Sequence, residues 1–295
     1  MKFAVNYSAA AVELARAGKI KTDYFKCPAW QDRLAEFQAA GAIYVHLPLI
    51  VGNGNGDAFN HETRRVADWR AIETMLAQTQ TPLVNLHLAP SAKDFPDLPT
   101  DSLKPAHVQV LLERAIRDVQ TVVQRFGKES VIIENTDGTE EQLRAVVAPE
   151  LIRGVVAATG CGFLLDVSHA RLAAINLGMD VADYIAALPV AHTKEIHVTG
   201  LQMFAGEWIA RAREFGTSEQ TIALFRNRLI DHLPMTDADW EFWAWAMHEL
   251  RAGKWGAPWI VAFEYGGVGA LWEATTKRDV LLAQVPRLYA SISQK

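Results

Sequence analysis

Short apolar runs and longer amphipathic stretches alternate along the chain. The runs fall at 3–8, 42–48, 82–88, 130–136, 161–168, 194–200, 228–234 and 258–267. They are continuous and do not skip every other residue. Continuous runs are expected of parallel strands, covered by helices on one side and packed against an interior on the other. The stretches between them carry helix signals. Leu34 and Phe37 face inward on a helix around 30–40 that closes at Gly41, and another covers about 63–79. The clearest helix shows Val108, Leu111, Leu112, Ala115, Ile116, Val119, Val122, Val123 and Phe126 at three- and four-residue spacing, and Gly127 ends it. A helix after the fourth run breaks near Pro149. Asp180 caps the next, with Asp183 in its first turn. Further helices are predicted around 206–227, 237–250 and 276–291. The stretch after the first run reads as irregular, and the polar, Pro-rich segment 89–104 reads as a surface loop.

Eight such strand–helix units in 295 residues predict an α/β fold, a (β/α)8 TIM barrel forming one domain over 1–295. No GxGxxG follows the first strand and no GxxxxGK[ST] occurs, so the usual phosphate-binding loops are missing. The segment GNGNGD (52–57) is glycine-rich, but a flexible active-site loop is the favoured reading over a phosphate cradle.

Composition narrows the picture. Half of the residues are hydrophobic and 21% are charged, as in a chain with a large core. The net charge of −5 gives no global basic field for nucleic acid. The first residues lack a long apolar stretch, because Glu13 interrupts them, and no run is long enough to span a bilayer. The two cysteines, Cys27 and Cys161, lie far apart in sequence and read as reduced structural thiols of a cytoplasmic protein.

The ionisable residues gather at the strand ends. His46, His87, Glu134, Asp166 with His169, His197, Asp231 with His232, and Glu264 fall at or near seven of the eight. The ends of barrel strands are where barrel enzymes keep their active sites. Carboxylates near apolar strand ends are costly unless paired or bound to a cation. Lys and Arg are scarce there, so one to three divalent metal ions are expected instead. Imidazole nitrogen with carboxylate oxygen suits iron, zinc or manganese. A carboxylate such as Glu134 is able to bridge two metals. Asp231 and His232 are adjacent in a strand, so one of them is expected to face the site. Tryptophans 240, 243, 245, 255 and 259 read first as core packing.

The order of these residues resembles the xylose isomerase-like barrel superfamily. Within it, the His of VHLPLIV, the His of NLHLAP, the Glu of IIENT, the D-x-x-H pair Asp166/His169, His197 and Glu264 are similar to the endonuclease IV pattern. That resemblance implies a trinuclear zinc phosphodiesterase. The stretch from Cys161 to Gly200 resembles DUF692, the multinuclear non-heme iron oxidases. It carries Asn176, Gly178, Asp180, Tyr184, Leu188-Pro189 and Glu195-Ile196-His197 at the places of that family's pattern. This second resemblance implies two or three irons and oxidation of residues in small peptides, often with a partner protein that recognises the peptide. The chain departs from both patterns. His169 stands where DUF692 has Asn, and Leu233 stands where both families carry a His near strand seven. Leu47-Pro48-Leu49 takes the place of the residues with which endonuclease IV penetrates DNA, and this argues against nucleic acid.

The expected function is therefore a metal-dependent oxidoreductase of the DUF692 kind, iron first, acting on a small peptide or small molecule. The metals would sit on His46, His87, Glu134, Asp166, His169, His197, Asp231 and Glu264. The alternatives are a divalent-metal sugar isomerase or epimerase, with Glu134 and Glu264 as its catalytic acid/base pair, a metal phosphodiesterase, and a barrel that binds without turnover.

Overall fold

The computed structural model describes residues 1–63, 65–138 and 142–293. They fall into two compact units. One comprises Met1–Tyr44, Ile196–Lys254 and Pro258–Lys295, the other Val45–Glu195 with Trp255–Ala257.

In the first unit, Lys2–Asn6 lies between two parallel neighbours, Tyr24–Pro28 and Ile260–Phe263. Phe3, Ala4, Val5, Val261 and Ala262 are buried. The stretch after the first strand is regular, contrary to expectation. It holds the helix Ala9–Arg16, capped by the Ser8 hydroxyl, and the strand Tyr24–Pro28. The sequence YFKCP hides that strand because a lysine sits at its centre and a proline at its end. Leu34 and Phe37 are buried as predicted, on Leu34–Ala40 behind a 3-10 turn at Gln31–Arg33.

The run at 228–234 departs further. Leu229–Leu233 is a strand, but it pairs antiparallel with Gly200–Met203 in a separate two-stranded sheet. A Cβ on Gly200 would lie 2.0 Å from the Pro234 carbonyl oxygen, so only glycine permits this approach. Phe204, Trp208, Ile222, Ile230, Leu233 and Leu271 form a small core of their own. The helix predicted over 206–227 is two helices, Glu207–Glu214 and Glu219–Phe225, parted at Gly216, whose φ is 79°. The tryptophan-rich helix Asp237–Arg251 opens on a reciprocal capping box between Thr236 and Asp239. Its Trp240 and Trp243 are buried, which fits a packing role.

In the second unit, Leu49–Val51, Val84–Leu88, Val131–Glu134 and Gly162–Asp166 run parallel in that order. The register sets Ile50 opposite His87 and His87 opposite Glu134. A short antiparallel ribbon, Phe59–Asn60 with Arg65–Val66, extends from Leu49–Val51. The helix predicted over 63–79 is Trp69–Thr79, capped by Asp68; residue 64 lies outside the described residues. Pro105–Phe126 buries Val108, Leu111, Ala115, Val119 and Val122 of the predicted stripe, leaves Leu112, Ile116, Val123 and Phe126 half-buried, and packs on Pro149–Thr159, which starts at its proline. An unforeseen helix, Val167–Leu177, follows Asp166 directly. The helix after Asp180 begins as predicted, with the Asp180 carboxylate accepting from the Ala182 and Asp183 amides.

Cys27 and Cys161 are buried free thiols, and burial pushes both above the usual thiol range. Among the described residues no helix is long and apolar enough to cross a membrane.

Candidate metal centre

Three of the predicted ligands converge in the second unit. His87 and Glu134 end adjacent parallel strands, and the register sets them side by side. His46 ends the strand Ile43–His46. The Nε2 atoms of His46 and His87 are 3.0 Å apart, and Glu134 Oε2 lies 3.4 Å from the first and 3.3 Å from the second.

The neighbours fix the character of these nitrogens. His87 Nδ1 lies 3.0 Å from the Leu49 carbonyl, so Nδ1 carries the proton and Nε2 the lone pair. Asn85 orients His46. Its Oδ1 accepts from the Leu47 amide at 2.7 Å and its Nδ2 donates to the Leu47 carbonyl at 3.0 Å. That double bond settles which end of the amide is nitrogen. The same Nδ2 lies 3.2 Å from His46 Nε2 and makes it an acceptor too. Two lone-pair nitrogens and a buried carboxylate oxygen therefore face one another. With neutral rings the arrangement is repulsive, and a cation at its centre resolves it. The spacing suits a metal. Ligand atoms about 2.1 Å from one ion stand about 3.0 Å apart at right angles and about 3.4 Å apart at tetrahedral angles.

Asp166 and His169 flank Glu134 on its other side. Asp166 caps Val167–Leu177, its Oδ1 accepting from the Ser168 and His169 amides at 2.7 and 2.8 Å. Asn135 clamps the Asp166 backbone twice, with Oδ1 on its N–H and Nδ2 on its carbonyl, both at 2.9 Å. His169 Nδ1 donates to the Asn135 carbonyl at 2.9 Å, which makes Nε2 its lone-pair edge. The same Nδ1 lies 3.6 Å from Glu134 Oε1 and 3.7 Å from Asp166 Oδ2. Glu134 thus turns one oxygen to the lone-pair nitrogens of His46 and His87 and the other to the N–H edge of His169.

A cavity of about 640 Å³ opens beside these groups. Its walls include His87, Glu134 and His169, together with Leu49, Lys93 and His61. His61, just after the glycine-rich loop, lines the cavity. The loop is no phosphate cradle. The amides of Gly52, Gly54 and Gly56 all donate to the Asp118 carboxylate, at 2.9, 3.0 and 2.7 Å. The chain's own anion fills the nest.

The remaining predicted residues lie in the first unit. His197 is fully buried, and its Nδ1 is 3.1 Å from Glu264 Oε1. Lys26 makes an ion pair with the same oxygen. The expected scarcity of lysine at the strand ends therefore fails at Glu264. His232 has a φ of 59°, which breaks strand alternation. Its Nε2 comes within 3.7 Å of Asp231 Oδ2 and 3.9 Å of Glu264 Oε2, and its ring lies 4.6 Å from that of Trp272. Asp231 and His232 therefore approach one another and do not point to opposite faces.

Sequence reasoning misses Lys26, Asn85 and Asp118. Asn85 stands two residues before His87, and strand periodicity places both on one face. Lys26 and Asp118 are each a charged residue inside an apolar pattern, the mark of a buried charge with a partner.

A family model described as RiPP precursor modification enzyme MbnB/TglH/ChrH matches residues 29–226, more than half of the chain. A UPF0276 protein of Rhizobium meliloti is 33% identical over 121 residues, covering 40% of this chain and 38% of that protein. A UPF0276 protein of Bordetella pertussis is 31% identical over 173 residues, covering 57% and 56%. The chain spans about half the length of these curated relatives, or less. The crystal structure of the IolI protein with a zinc atom aligns over 99% of this chain and 98% of its own, with a TM-score of 0.50 and 14% identity. That likeness shows the fold alone, an α/β (β/α)8 barrel. With the family model matching most of the chain, the protein belongs to the RiPP precursor modification enzyme family MbnB/TglH/ChrH.

Proposed function

We propose that this chain is a metal-dependent oxidoreductase that modifies a residue of a small peptide, with iron as its metal. The observation that carries the reading is the set of two acceptor nitrogens and one carboxylate oxygen, 3.0–3.4 Å apart, at the edge of a cavity. The family's description as a peptide-precursor modification enzyme supports a peptide substrate.

His46, His87 and Glu134 would hold one metal, Asp166 would join a second beside Glu134, and His169 would ligate through Nε2, since its Nδ1 is committed to the Asn135 carbonyl. A bound iron supplies Lewis acidity and one-electron chemistry with oxygen. The chain's own residues do the rest. Asn85 and the Leu49 carbonyl orient the two imidazoles. Asn135 fixes Asp166 and His169 together. The cavity lies in the size range of small-ligand sites, about 300–1,000 Å³, with room for a few peptide residues and not for a folded protein. Leu49 and Ile50 give it an apolar wall, while Ser91, Lys93 and Gln142 offer groups for peptide carbonyls or carboxylates. The buried, unbridged thiols of Cys27 and Cys161 fit a reducing compartment, and we place the protein in the cytoplasm.

The test is metal analysis of protein purified without added metal and after loading with ferrous iron, followed by mass spectrometry of candidate peptides with and without oxygen. Iron and an oxygen-dependent mass change are expected, and His46→Ala and His87→Ala should each lose metal while remaining folded. Absence of bound metal after loading, or full occupancy in both variants, defeats the reading.

A further inference from the structure

Glu264 closes the strand Ile260–Phe263, and the sequence alone groups it with the metal-binding carboxylates. Its surroundings differ from those of Glu134. Glu134 Oε2 faces the lone-pair nitrogens of His46 and His87. Glu264 Oε1 meets the Lys26 ammonium, which only donates. Lys26 is 8% exposed and Glu264 is 3% exposed. Two buried charges in contact are tolerated as a pair, and either one alone is not.

The strand register builds this contact. Lys2–Asn6 runs between the two strands concerned, with Asn6 paired to Lys26 and Val5 paired to Phe263. Lys26 and Glu264 therefore emerge at the same end of neighbouring layers of one sheet. The backbone around them is held as well. The Glu264 amide donates to the Val198 carbonyl at 3.0 Å, and Asn6 Nδ2 donates to the Gly266 carbonyl at 3.1 Å. His197 Nδ1 completes the cluster at 3.1 Å from the same oxygen as Lys26.

We propose that Lys26 is the built-in counter-cation of Glu264 and takes the place a metal would take on that carboxylate, so that the chain holds its metal without Glu264. A lysine ammonium differs from a metal here in two ways. It is covalently fixed, so chelators do not remove it. It also occupies the oxygen with a donor and leaves no coordination position for substrate. The proposal rests on the reading that metal binds at His46, His87 and Glu134.

Metal content per chain after loading with ferrous iron without oxygen and desalting is the test, in wild type, Glu264→Gln, Lys26→Met and the double variant. Glu264→Gln should retain the wild-type count. Lys26→Met should gain about one metal per chain, since the released carboxylate can then coordinate, and the gain should vanish in the double variant. A lower count in Glu264→Gln, or an unchanged count in Lys26→Met, overturns the proposal. Should either single variant fail to fold by circular dichroism, the double variant, which leaves neither charge buried alone, decides: it should keep the wild-type count, and a lower count overturns the proposal. Metal-free wild type is a separate result that removes the metal reading itself and this inference with it.

Discussion

Asn85 reaches His46 Nε2 and the Leu47 backbone at once. Its amide is locked by the Leu47 backbone and holds His46 Nε2 as an acceptor. Replacing Asn85 with Ala leaves a buried amide and carbonyl at Leu47 without that partner and releases the ring. An unsatisfied buried backbone group costs about 1–3 kcal/mol. Urea unfolding should show that loss in Asn85→Ala. Unchanged stability would mean that the Leu47 backbone finds other partners. At this scale the sequence is legible where a residue type announces its chemistry. His87 and Glu134 end apolar runs, and the only chemistry that suits both is ligation or pairing. It is illegible where the partner comes from a distant strand. Nothing near Glu264 in sequence points to Lys26, which lies 238 residues away.

Asp118 shows how one charge shapes a whole element. It stands in the apolar stripe of Pro105–Phe126 and draws three glycine amides of the 52–57 segment onto its carboxylate. The glycines are required because Gly52, Gly54 and Gly56 all have positive φ. Burial pushes the Asp118 carboxyl up even though the three amides pull it down. A raised folded-state value means that its contribution to stability is greatest below the unfolded value, about 3.9. That contribution is lost as pH rises through the folded value. Urea unfolding of wild type and Asp118→Asn should therefore show wild type gaining on the variant as pH falls from about 7 to about 4.5. Asp118→Ala, which strips all three amides of their acceptor, should cost about 2–4 kcal/mol. Equal stability of Asp118→Ala and wild type would contradict this account of the loop. Elements are legible where their apolar period is clean, as in Pro105–Phe126. Val167–Leu177 escapes notice because the side chains it buries are mostly small and include Ser168. The run at 228–234 has the composition of a parallel strand, and only its pairing with Gly200–Met203 shows otherwise.

At the scale of the molecule, the family match and the IolI-like fold agree with the alternation of strands and helices that the sequence displays. The barrel class is readable because each unit repeats the same pattern. The identity of the strands is less so, because Tyr24–Pro28 carries a charge that only its partner explains. The same reasoning separates the two buried carboxylates. Glu134 Oε2 lies against two lone-pair nitrogens, the setting of the metal proposed there, whereas Glu264 lies against an ammonium. The most direct test is anomalous diffraction at the metal absorption edge from crystals of iron-loaded protein. The account predicts a peak about 2.1 Å from the Nε2 atoms of His46 and His87 and from a Glu134 oxygen. An iron-loaded crystal with no peak at that point would contradict it.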